Sequence, residues 1–173
     1  FGRPFSPGGD FSVFLTTLPK ILAGNDLREI VSHIARARKG KKQVILGIGA
    51  HVIKVGLSTL VVDAMERGIF TLVAMNGAGA IHDMEIAMAG KTSEDVEEGL
   101  SRGSFGMAEE SGRYFNTAVR RGARMGQGLG QALGKMILQR KFPHAKQSIL
   151  ASGVRCGIPV TVHVAIGTDT VHV

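Results

Sequence analysis

Apolar positions along this chain follow two rhythms. Between residues 26 and 38 they recur at Leu27, Ile30, Val31 and Ile34, which is one face of a helix. Asn25 stands where it can cap that helix, and Gly40 with two lysines closes it. Residues 43–49 (QVILGIG) instead form an unbroken apolar run between turn residues, the pattern of a strand buried on both faces. A helix over about 54–67, stopped at Gly68, leads to a second such run at 69–75 (IFTLVAM). Strand, helix and strand within about thirty residues make a βαβ unit. Farther on the rhythm is helical over 80–89, from Thr92, and over 104–121, 126–141 and 148–156, the last stopped by Gly157. A third strand follows at 159–165 (PVTVHVA), with Pro at its first residue, where a missing N–H matters least. Helices alternating with parallel strands predict an α/β fold, a Rossmann-like parallel sheet flanked by helices. No internal repeat is visible.

Composition narrows the class. The 173 residues are 44% hydrophobic and 20% charged, ordinary globular proportions that exclude a disordered or collagen-like chain. A lone Cys156 excludes a disulfide framework and a cysteine-based zinc site, and makes the reducing cytoplasm the expected compartment. No apolar run is long enough to span a membrane as a helix. The sequence starts at Phe1 and stops inside the apolar run 160–173, so the expectation is one α/β domain over 1–173, continued at both ends. The net charge of +7 resolves into blocks: basic over 28–42, acidic over 83–110, basic again over 111–146. Basic stripes bind phosphate by releasing counterions. Few aromatics interleave this one, with Tyr114, Phe115 and Phe142 alone in the last block. The blocks therefore read as pairing within the fold or between subunits rather than as a nucleic-acid surface.

Ligands of open parallel sheets bind beyond the carboxyl ends of the strands. Three segments reach that rim: Gly49-Ala50-His51, the stretch from Asn76 to Glu85, and Gly167-Thr168-Asp169. Glycines there let backbone N–H groups approach a pyrophosphate, and a helix N-terminus adds a favourable dipole. Gly47-x-Gly49-x-x-Val52 lacks the third glycine of the dinucleotide pattern, and no acid is clearly placed about 20 residues on. Tight-turn packing and nucleotide binding both stay open. Gly126, Gly128, Gly130 and Gly134 follow a helix and predict close helix packing. His82, Asp83 and Glu85 offer general acid–base groups for neutral pH. They lack zinc-helix spacing, so a metal would rest on clustering with His51 and His163, and none is expected. His163, alternating within a strand, reads as a core residue. Met75, Met84, Met88 and Met107 read as interior fillers, and the acidic stretch 94–98 as a solvated helix face.

Residues 49–56 (GAHVIKVG), the helix after them, and 76–83 (NGAGAIHD) resemble the deoxyhypusine synthase family without a gap over about 40 residues. The likeness resumes at 157–160 (GIPV) and 165–169 (AIGTD). It implies a Rossmann-like NAD-binding fold, a homotetramer with sites between paired subunits, and transfer of the aminobutyl group of spermidine through an imine. The family's acceptor is a lysine of the hypusine-bearing translation factor, so a protein substrate is implied beside the small amine. By position, the resemblance places NAD contacts at Ala50, His51, Val52, Asn76, Gly77 and Ala78. Asp169 matches one of two aspartates that serve NAD or the polyamine. Where the family carries a Glu pair before the aspartate, this chain has Ile81-His82, which removes a carboxylate that pairs with an ammonium. Glu85, one turn on, is left to replace it. The family's catalytic lysine lies farther along than residue 173. The expectation is a divergent NAD-dependent transferase or oxidoreductase for a polyamine or related amine, with His82, Asp83 and Glu85 as catalytic candidates. The alternative is an NAD- or nucleotide-responsive binding protein without turnover.

Overall fold

The computed structural model describes residues 1–92, 109–169 and 171. The chain forms two compact units, Phe1–Val44 and Ile45–Val173. In the first unit, helix α1 (Phe11–Thr17) is capped by Asp10, whose carboxylate accepts from Val13 N at 2.9 Å. Helix α2 (Leu22–Lys39) starts earlier than the pattern predicts, with Ile21 and not Asn25 at its cap. Asn25 instead donates its amide to the Lys20 carbonyl at 3.1 Å, inside the first turn. The Arg28 guanidinium fixes this entry by donating to the carbonyls of Leu18, Pro19 and Gly24. No residue of α1 or α2 is buried.

The second unit holds the sheet: β1 (Ile45–Ile48), β2 (Leu72–Asn76) and β3 (Val160–His163), all parallel, in the order β1-β2-β3. Around it stand α3 (Ala50–Lys54), α4 (Ser58–Glu66), α5 (Gly77–Ala89), α6 (Glu109–Arg124), α7 (Leu129–Gln139) and α8 (Ile149–Cys156). The class is α/β with a small open parallel sheet flanked by helices. Register sets Leu46 beside Val73 and Val73 beside Val160, so one face of all three strands meets the core. The two-faced burial predicted for 43–49 is not found: β1 is an edge strand, with Ile45 61% exposed and Gly47 exposed. Strand side chains alternate, and when the outward ones are also apolar the sequence cannot separate one buried face from two. The helix predicted over about 54–67 is found as α4, starting later at Ser58; a separate short helix, α3, ends at Lys54, and Gly56 adopts a left-handed φ of 82° between the two. The helix expected from Thr92, the acidic face 94–98, Met107 and the start of the one at 104 lie outside the described residues.

Close packing explains Gly130 and Gly134 but not Gly126 and Gly128, where a Cβ would meet nothing within 4 Å among the described residues; Gly126 instead takes a left-handed φ of 63°. A Cβ on Gly130 would stand 1.9 Å from the Val160 carbonyl oxygen, and one on Gly134 would stand 2.3 Å from that of Leu150. Bare backbone thus lets α7 press against β3 and α8. Ser148 caps α8 by accepting from Ala151 N, and Gly157 ends it with a φ of 66°. Met75 and Met84 are buried as expected of interior fillers, and Met88 is half-buried. One packed group is dissatisfied: the Ser58 hydroxyl is buried without a hydrogen-bond partner among the described residues. Ser58→Ala is therefore expected to raise unfolding stability by about 1 kcal/mol, since it removes a desolvated polar group and no bond. A loss of stability in denaturant titration would show that the hydroxyl has a partner.

Candidate functional site

Segments leaving the carboxyl ends of the three strands build the rim. After β1, Gly49 takes extended geometry and α3 begins at Ala50, leaving His51 exposed and Ala50 and Val52 half-buried. After β2, the Asn76 side chain accepts from Gly79 N at 2.8 Å and so opens α5 at Gly77. Strand pairing sets Ile48 beside Met75, and Asn76 beside His163. After β3 the chain turns back, and Asp169 accepts from Ala165 N at 2.9 Å. Its carboxylate lies directly on Gly77: a Cβ there would stand 1.9 Å from Asp169 Oδ2. The sequence thus brings Asn76, Gly77 and Asp169 together, with Ala50, His51 and Val52 following the neighbouring strand. Among the described residues, a Cβ on Gly47 or Gly49 would meet nothing within 4 Å, so packing against them does not require these two glycines.

This geometry has a definite chemistry. The start of α5 carries unsatisfied N–H groups and the positive end of the helix dipole, and a carboxylate there is stabilised. Asp169 offers acceptor lone pairs on the rim, which suit hydroxyl or ammonium donors and oppose a phosphate. His163 is exposed, not in the core as its strand alternation predicts, and its Nε2 lies 3.0 Å from Thr161 Oγ1. Among the described residues, no three His, Cys, Asp or Glu side chains gather into a set that could hold a metal.

The three acid–base candidates separate. Asp83 is fully buried and does not line the rim. Its carboxylate accepts from Ser148 Oγ at 2.6 Å, Ile149 N at 2.7 Å and Leu150 N at 3.0 Å, and so holds the start of α8. Burial pushes its carboxyl up to about 6, although those three hydrogen bonds pull the other way. Position in the sequence could suggest a functional acid here, but the partners lie 65 to 67 residues away, so pattern alone could not show the packing role.

His82 and Glu85 do come together. They face the same side of α5, with His82 Nδ1 3.1 Å from Glu85 Oε2, and their side chains are 22% and 21% exposed. Two hydroxyls that sequence reasoning did not connect complete the group. Thr92 Oγ1 lies 2.5 Å from Glu85 Oε2 and also bonds His82 Nδ1. Buried Ser111, on α6, donates to Glu85 Oε1 at 3.4 Å. His82 stands one turn behind Ala78 on the same helix face, about 6 Å along the axis. Ile81 is 8% exposed and belongs to the core.

A separate groove of about 590 Å³ runs beside β3 and is lined mainly by apolar and glycine residues, among them Gly130, Gly153, Ile158 and Val162. No helix of the described residues is long and apolar enough to cross a membrane. No protein-family model matches the chain, and no curated protein does.

Proposed function

We propose that this chain carries the cofactor-binding core of an NAD-dependent enzyme similar to the deoxyhypusine synthases, oxidising a polyamine or related amine to an imine. The observation that supports the reading best is the Asp169 carboxylate seated on Gly77, at the carboxyl end of a parallel sheet and the start of a helix. That is where a Rossmann-like sheet takes a nucleotide. The residues suit the hydroxyl-bearing part of such a cofactor: Asp169 accepts from ribose hydroxyls, and the first N–H groups of α5, at Gly77 and Ala78, remain as donors. Bound NAD supplies a hydride acceptor for the amine carbon. His82, with Glu85 behind it, supplies a base for the amine proton. Asp83 leaves the catalytic set, because its lone pairs serve α8 from a fully buried position. With Ile81 in the core and His82 beside it, the place of the family's Glu pair holds no carboxylate, which favours a substrate less cationic than spermidine. The reading carries with it a homotetramer, checked by light scattering, and a protein acceptor for any group transferred.

Calorimetry with NAD on the full chain tests the proposal, and absence of binding removes it. Gly77→Ala is expected to weaken NAD about tenfold, equivalent to ~1.4 kcal/mol, by driving the Asp169 carboxylate from its seat. Stability should barely change, since the obstructing atoms end a flexible side chain. Equal affinity in the variant would place NAD elsewhere. A second reading, NAD- or nucleotide-responsive binding without turnover, gains from the loss of Asp83 as a catalytic group. Reduced cofactor appearing with any amine, and lost in His82→Ala, decides against it.

A further inference from the structure

We infer that Thr92 and Glu85 hold His82 in its Nδ1–H tautomer, leaving Nε2 unprotonated as the atom that takes a proton. The hydrogens can be placed by counting. Thr92 Oγ1 has one hydrogen and, among the described residues, two close neighbours, Glu85 Oε2 at 2.5 Å and His82 Nδ1. A carboxylate only accepts, so the hydroxyl hydrogen belongs to the bond with Glu85. The contact with His82 then needs a hydrogen on Nδ1, donated to the hydroxyl oxygen. The direct approach of Nδ1 to Glu85 Oε2, at 3.1 Å, demands the same hydrogen, because two bare lone pairs would otherwise face each other. Ser111 donates to the other carboxylate oxygen, Oε1, at 3.4 Å, so Glu85 is held from two sides. Neutral imidazole carries one hydrogen; fixed on Nδ1, it leaves Nε2 as the acceptor. Among the described residues Nε2 has no hydrogen-bond partner of its own.

The role in catalysis rests on the amine-oxidising reading above. Bound NAD would supply the acceptor for the hydride of the amine carbon, and His82 Nε2 would take the proton that the nitrogen loses as C=N forms. The imidazolium so formed keeps its Nδ1–H toward Thr92 and Glu85, whose negative charge stabilises it. Thr92 acts through His82 and is a positioning residue.

Two-bond proton–nitrogen correlation spectra of the full chain with labelled histidine, at about pH 8 and without cofactor, test this directly. The expected result is a protonated Nδ1 and a bare Nε2 on His82. Thr92→Val should raise the Nε2–H form several-fold, and Thr92→Ser should restore the original pattern. Glu85→Gln, whose amide can donate to Nδ1, should also shift the balance toward Nε2–H. A protonated Nε2 in the unaltered protein overturns the inference. So do nitrogen shifts that stay unchanged in folded Thr92→Val, the outcome for a group that merely ties α5 to α6. Because the spectra need no NAD, they stand or fall separately from the calorimetry.

Discussion

Asp83→Ala is expected to destabilise the chain by about 2–4 kcal/mol at neutral pH. Removing the carboxylate strands two buried N–H groups, those of Ile149 and Leu150, at about 1–3 kcal/mol each, and takes an acceptor from Ser148. Part of that loss is offset, because the ionised carboxylate was itself costly to bury. The same burial gives a pH dependence with a definite sign. The Asp83 carboxyl titrates at about 6 in the folded chain against 3.8 in the unfolded one, so between these values the native state binds more protons. The stability it contributes is greatest below 3.8 and is lost as pH rises through 6. At about 1.4 kcal/mol for each pH unit, the swing is about 3 kcal/mol. Asp83→Asn keeps the shape and has no such titration. Denaturant unfolding of both proteins should therefore show the wild type gaining on the variant as pH falls from 7 toward 4. A gap that stays constant over that range would show that Asp83 ionises with no penalty, and an Asp83→Ala protein of unaltered stability would show that α8 starts without it.

What the sequence disclosed and what it withheld divide along a physical line. Local rules located the strands and most helices, because apolar runs, caps and terminating glycines act within a few residues: Ser148 caps α8 and Gly157 ends it where the pattern places them. The same rules put the second helix start at Asn25, since propensity says nothing of Arg28 gathering three carbonyls ahead of it. The convergence of Asn76, Gly77 and Asp169 at one rim was legible from topology alone, because strands of a parallel sheet end together. Their direct contact was not. Most opaque was the division of labour among His82, Asp83 and Glu85. Neighbours in sequence point to different sides of a helix, so Asp83 turns into the core while His82 and Glu85 share another face. The packing partners of each side are fixed by α6 and α8, far along the chain.

Gly130→Ala carries the other large expected effect, a loss of about 3 kcal/mol. An added methyl would lie 1.9 Å from the Val160 oxygen and 2.8 Å from its carbon, and both belong to backbone in β3. Neither can step aside as a side chain can, so α7 must retreat from the sheet. Gly134, one turn on along the same face, lets the helix approach the Leu150 carbonyl on α8, so retreat would loosen that contact as well. Gly112, in α6, provides the control. A methyl there meets nothing within 4 Å among the described residues, so Gly112→Ala should stabilise by about 0.5–1 kcal/mol through helix propensity. Opposite signs from one chemical change would separate packing from propensity, and parallel denaturation curves measure both. The consequence reaches the rim as well. Val160 pairs with Val73 at the start of β3, and the turn carrying Asp169 follows that strand's end. A displaced β3 should therefore move the carboxylate on Gly77, and under the proposed function Gly130→Ala should then weaken NAD binding although Gly130 lies in α7, away from the turn that carries Asp169. Full affinity at reduced stability would mean that the rim holds its shape independently of how α7 meets the sheet.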